Sequence, residues 1–221
     1  MTDRALNSGD CGTQVRPSEW LFNPFHYVAG GTSLALGLGA IVVAGLLGAL
    51  SKTHFDGVLD VHTGRPCPTI WVYPAEGLVD WAALAVVLFV AGKVVSRTAF
   101  RAVDLFGTQA MARWPMVIVT LATLAPPYQR YSDYVGYKLA RLEGWMRNPS
   151  PDALVNSDVI VFGLVVLVMI LAAVWMVALM YRSYAVCCNL RGGRAIGSFI
   201  AGLLLAEAIS KLAIAKVWDV L

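Results

Sequence analysis

Long uncharged apolar stretches alternate with short polar connections along this chain, at lengths that match a lipid bilayer. A helix crossing the hydrocarbon core needs about 20 mostly apolar residues. Residues 28–50 carry no charge and form the clearest such segment. Their glycines (Gly30, Gly31, Gly37, Gly39, Gly45, Gly48) include small-xxx-small spacings that let helices approach closely. A second span is expected over residues 77–95, with Asp80 near its start and Lys93 near its end, placed to snorkel toward headgroups. A third, residues 103–124, holds Gln109, Arg113 and Pro115 ahead of its apolar half. It is expected to kink near Pro115 and to stop at Pro126-Pro127. Residues 159–181 form an uncharged fourth span. After a turn at Gly192-Gly193, residues 195–217 form a fifth, which contains Glu207 and Lys211. No repeat period of about 20 to 50 residues is visible.

The connection between the third and fourth spans is polar and aromatic. Tyr128, Tyr131, Tyr134 and Tyr137 recur at every third position, followed by Lys138, Arg141 and Trp145. A helix lying in the membrane interface accounts for this, with its aromatic rings at headgroup depth. An aromatic ligand platform is the sharper alternative. The expected fold is therefore all-α: an integral membrane bundle of five transmembrane helices, with an interfacial helix between the third and fourth. Residues 1–24 are expected as a short cytoplasmic segment and residues 25–221 as the membrane domain. Lys and Arg divide evenly between the two sides. The two short connections carrying Lys93, Arg97, Arg101 and Arg182, Arg191, Arg194 are the densest in positive charge. Short loops carry the positive-inside signal, so the N-terminus is expected in the cytoplasm and the C-terminus outside.

Composition agrees with that architecture. The hydrophobic fraction is 58% and the charged fraction 14%, where soluble domains average about half and about a quarter. Mean hydropathy is +0.66. A net charge of +3 with no basic stripe excludes a nucleic-acid partner and leaves the lipid bilayer as the expected one. Cys11, Cys67, Cys187 and Cys188 form no CxxC pair or disulfide framework. The polar N-terminus MTDRALNSGDCGTQ lacks the features of a cleavable signal, so the first apolar segment is expected to remain as an anchor.

No GxSxG, HExxH or GxxxxGKS pattern occurs, and the chain is not expected to be an enzyme. Two polar groupings could carry chemistry. The stretch HFDGVLDVH is nearly palindromic, with His54 and Asp56 mirrored by Asp60 and His62. In an extended strand these four side chains share one side. A bend at Gly57 would bring the halves together, and imidazole with carboxylate is a donor set that zinc accepts. No other cofactor is expected. The simpler alternative is an outer hairpin whose polar groups bond to backbone and water. The second grouping is intramembrane: Asp80, Arg113, Glu207 and Lys211. Glu207 and Lys211 stand four apart, in the order favourable for a helical ion pair. Charges within a span face the bundle interior or water. They either line a proton or solute path, or form a self-neutralised pair docked on Asp80, Glu76 or Arg113.

The segments WLFNPFHYVAG, THFDGVLDVHTG, DLFGTQAMARWP and NLRGGRAIGSFIAGLLLAEAISK, set among five spans, resemble the bacterial branch of the YIP family. These are small five-helix membrane proteins related to the Ypt/Rab-interacting proteins of eukaryotic Golgi and endoplasmic reticulum. The resemblance covers about residues 20 to 217 and implies a five-helix bundle with a cytoplasmic N-terminal segment. Its eukaryotic relatives are linked to Rab binding and vesicle traffic, and it assigns an activity to no residue here. The expected function is a non-enzymatic scaffold or adaptor of the bacterial inner membrane, contacting lipids, a membrane-protein partner or further copies of itself. A small-solute or ion transporter using the intramembrane charges, and a metalloprotein using the HFDGVLDVH loop, are the alternatives.

Overall fold

The computed structural model describes residues 21–64, 69–142 and 156–220. Cys11, Cys67, Trp145 and the end of the expected interfacial segment lie outside them. A 3-10 turn at Pro24–His26 leads into α1 (Gly30–Ser51), which ends on Lys52 in the left-handed region (φ 56°). The chain reverses through a two-residue antiparallel ladder, β1 (Thr53–His54) with β2 (His62–Thr63), in which His54 lies opposite His62. Then follow α2 (Val72–Val95), α3 (Ala102–Met111), α4 (Pro115–Thr123) and α5 (Pro126–Leu142). Two long helices, α6 (Asn156–Cys187) and α7 (Gly192–Val220), complete the described chain.

Four helices are long and apolar enough to cross a membrane: α1, α2, α6 and the Gly192–Lys216 part of α7. They mark a multi-pass membrane protein, and the all-α expectation holds apart from the small ladder. Large apolar side chains point outward as well as inward. Val86, Val90 and Val94 on α2, Leu164, Leu167 and Leu171 on α6, and Leu204 and Leu212 on α7 are exposed. Such faces suit a hydrocarbon surround and would be a liability in water.

The third expected span differs from expectation. It is broken outright into α3 and α4 across Ala112–Trp114, and neither half alone has the length of a crossing helix. Pro115 has no N–H to donate and its ring crowds the carbonyl four residues back, so the α-helical ladder cannot pass through it. Tight bonds replace that ladder: Arg113 N–H to the Ala110 carbonyl (3.1 Å) and Trp114 N–H to that of Met111 (3.2 Å). The break brings Arg113 into the bundle.

α3 and α4 run alongside α1 in the same direction. Gly30, Ser33, Gly37 and Gly48 of α1 meet Asp104, Gly107, Ala110–Met111 and Thr120 in turn. At Gly37 a Cβ would collide with the backbone of Ala110 and Met111, so only glycine permits this approach. Polar side chains tie α3 to α6: Gln109 donates to the Met180 carbonyl (2.9 Å) and the Ser183 hydroxyl (3.0 Å), and Ser183 to Thr108 (2.6 Å). α7 packs along α2, and α4 and α5 pack on α6. The core lies between them, around the fully buried Leu84, Leu88, Leu105, Leu179 and Met180.

Candidate functional site: a polar cap on the helix ends

The HFDGVLDVH stretch folds as a loop over the end of α1, the start of α2 and the end of α4, and against the flank of α7. Its base is held by hydroxyls, since Ser51 and Thr53 lie 2.8 Å apart and Thr53 donates to Thr123 at the end of α4 (2.9 Å). Gly64 N–H closes onto the Lys52 carbonyl (2.9 Å).

The bend joins the two halves of the palindrome and gives them separate duties. The rings of His54 and His62 stack at 5.7 Å. His54 is buried and turns inward: its Nδ1 lies 3.1 Å from Glu76 Oε1, and its ring stacks on Tyr73 at 4.5 Å. Glu76, also buried, accepts the Phe55 N–H as well (3.1 Å). A carboxylate on an apolar helix therefore serves as the anchor for the loop. His62 stays half-exposed, with Nδ1 at 3.3 Å from Asp56 and 3.9 Å from Asp60.

The two charges of α7 reach the same loop. Glu207 accepts the Leu59 N–H (2.9 Å), and Lys211 Nζ donates to Asp60 Oδ2 (2.6 Å) while lying 3.4 Å from Glu207. The expected i, i+4 pair forms, docked on the loop rather than on Asp80, Glu76 or Arg113. Gly57 sits beneath it, and a Cβ there would run into the Glu207 and Lys211 side chains. A larger residue there would displace the ends of these two flexible side chains.

Deeper in the bundle, Arg113 Nη1 lies 3.7 Å from Asp80 Oδ2, with both side chains buried. Neither Asp80 oxygen accepts a hydrogen bond, nor do Arg113 Nε and Nη2 donate one, among the described residues. The nearby Ser210 hydroxyl donates instead to the Glu207 carbonyl (3.2 Å). A cavity of about 10 Å³ lies between Arg113, Phe55, Gly77 and Met116. That is room for about one water molecule.

Of the four residues read as zinc ligands, Asp56, Asp60 and His62 each bring one donor atom into a group within 4.8 Å. His54 is committed to Glu76 and is not part of that group. Three such donors form an acceptable set for a divalent ion. The Lys211 ammonium, however, already supplies a positive charge to Asp60 at 2.6 Å. A metal ion would have to compete with it.

On the flank of the loop, the Thr63 and Ser132 hydroxyls are in close contact, and Lys52 pairs with Asp133 of α5 (3.2 Å). Tyr128 stacks on Phe162 of α6 at 5.3 Å, and Tyr131 lies 4.7 Å from the same ring. Burial pushes the Tyr128 phenol above its ordinary pKa, while its contact with Thr63 pulls the other way. Arg130 holds the buried Asp158 at 2.6 Å, clamping α5 to the start of α6. The tyrosine series thus packs partly on α6 instead of forming an open platform.

Glu76 and Tyr73 are the site residues with the weakest sequence signal. Glu76 stands four residues before Asp80, which places two acids on one face of an apolar helix. Compared with protein-family models, with curated proteins and with solved structures, the chain finds no match.

Proposed function

We propose that the protein is a non-enzymatic scaffold of the bacterial inner membrane with the YIP-like organisation its motifs resemble. One observation carries the reading: charges inside the spans act as rivets between elements. Asp80 is paired with Arg113, Glu76 with His54, and Glu207 and Lys211 with the loop. The cavity beside Arg113 fits about one water and is too small for a solute path. α3 and α4 form the third of five crossings. They keep company with α1 from Gly30 to Gly48, about 27 Å at 1.5 Å per residue and close to the core thickness. α5, amphipathic and rich in tyrosine, is the interfacial helix. An odd number of crossings sets the two termini on opposite sides, and the positive charge of the two short connections assigns the N-terminus to the cytoplasm and the histidine loop and C-terminus to the outside.

The test is photo-crosslinking in native membranes from probes at the exposed Val90 of α2 and Leu205 of α7. One protein adduct of defined mass, equal in amount to the labelled chain, is the expected result. Lipid adducts alone, together with solute uptake in proteoliposomes that disappears in Asp80→Asn, would replace this reading with a transporter. The bare hydrogen-bonding atoms of the Asp80–Arg113 pair favour that second reading. An impermeant thiol reagent on intact cells should label Cys67 and spare Cys11, and the reverse pattern would invert the topology.

A further inference from the structure

α5 and α6 line the two sides of one groove. Phe162, Val166, Met169, Ile170 and Ala173 of α6 line one wall of a groove. Tyr128, Ser132, Val135, Gly136 and Leu139 of α5 line the other, at the same i, i+4, i+7, i+8, i+11 spacing. The groove has a volume of about 490 Å³, within the range of roughly 300–1,000 Å³ usual for ligand sites. Along α6 the stripe covers about 16 Å, half the hydrocarbon core and therefore the depth of one leaflet. Leu139 and Ile170 are both lining and exposed, so the groove opens sideways onto the surface that faces lipid.

One end is polar. His62, Thr63, Ser132 and the Tyr128 hydroxyl stand there, all hydrogen-bonding groups. Behind His62 lie Asp56 and Asp60, then Glu207 and Lys211. These are three carboxylates against one ammonium and one imidazole, and the Asp56 side chain, whose Oδ1 faces His62, is 37% exposed. The neighbouring Lys52–Asp133 pair cancels itself. A headgroup that brings a positive charge complements this flank, and an anionic one is repelled.

We infer that the α5–α6 groove holds one acyl chain of a phospholipid whose headgroup ends in an ammonium, the phosphatidylethanolamine class. The chain lies against the α6 stripe, the phosphate meets the hydroxyls of Tyr128, Ser132 and Thr63, and the ammonium is directed to Asp56. This rests on the membrane-crossing assignment of the long helices and not on the scaffold role, so either can fail without the other.

The structure supplies a matched pair of variants. A Cβ at Gly136 or at Gly163 meets open space, but only Gly136 lines the groove. The probe is a phosphatidylethanolamine with a diazirine in its acyl chain, present in trace amounts in nanodiscs holding the full chain, with adducts mapped by peptide mass spectrometry. Adducts should concentrate on the α5 and α6 walls. Gly136→Leu should lower them by roughly tenfold or more, as should Ala173→Met from the opposite wall, while Gly163→Leu leaves them unchanged. Unlabelled phosphatidylethanolamine should displace the probe better than phosphatidylglycerol, and Asp56→Asn should remove that preference. Even labelling of all lipid-facing helices, or equal labelling in Gly136→Leu, Ala173→Met and the original chain, overturns the site. Equal displacement by the two lipids overturns the headgroup assignment.

Discussion

Arg113→Met removes the cation that lies 3.7 Å from the buried Asp80 carboxylate. At an effective dielectric constant of about 20, that separation corresponds to a gross attraction of about 4.5 kcal/mol. The net value of the pair is smaller, because both groups gave up hydration to enter the bundle. Removing one partner exposes the imbalance: Asp80 keeps its desolvation penalty and loses its counterion. Arg113→Met is therefore expected to destabilise the protein by about 3–5 kcal/mol. Asp80→Leu combined with Arg113→Met deletes both penalties and should lie between wild-type stability and a gain of about 1–4 kcal/mol. The measurement is reversible unfolding of purified protein in mixed micelles by SDS titration, followed by the fluorescence of its seven tryptophans. A double-mutant cycle then isolates the coupling. If Arg113→Met unfolds within about 0.5 kcal/mol of wild type, or if the two single costs add within that margin, the pair does not hold the bundle together.

Three further outcomes follow from contacts in the cap and at the α1–α3 crossing. Glu207→Gln should cost about 1–2 kcal/mol in the same titration by weakening the bond from Leu59 N–H. Because Lys211 keeps Asp60 at 2.6 Å, adding Lys211→Met should deepen the loss, and rescue by the second substitution would refute the docking. Gly37→Leu should destabilise by about 3 kcal/mol or more, or prevent folding, since its side chain meets the α3 backbone; wild-type melting would disprove that approach. Protein purified without chelator or metal-affinity tag should carry less than about a tenth of an equivalent of zinc by elemental analysis, and Lys211→Met should bind more than wild type. Stoichiometric zinc in the wild type would show that a metal displaces the lysine.

The apolar cores of the long helices were legible because hydrophobic length is a property of consecutive residues. Residues 28–50 became Gly30–Ser51, and residues 159–181 became the core of Asn156–Cys187. The second span begins earlier than its apolar run, at Val72, because Glu76 is satisfied by the loop and no longer signals a helix end. Pro115 pointed to the weak place in the third span, but a kink and a complete break look alike in sequence. What separates them is whether the residues before the proline close tighter local bonds of their own, as Arg113 and Trp114 do onto Ala110 and Met111.

The sequence by itself determined the multi-pass character, the polar loop between the first two spans and the need for a bend at its centre. Composition and local spacing suffice for these, because each depends on residues within a few positions of one another. The loop's partners were decided only by tertiary structure. Glu76 reaches His54 across 22 positions, and Lys211 reaches Asp60 across 151. The local pattern that made four donors look equivalent holds no information about which carboxylate or ammonium packs beside each. His54 became an internal anchor and His62 a surface group because the first turns of α2 lie beneath one and α7 beside the loop that carries the other. Charge pairing across such separations follows from helix packing, and no reading of neighbouring residues contains it.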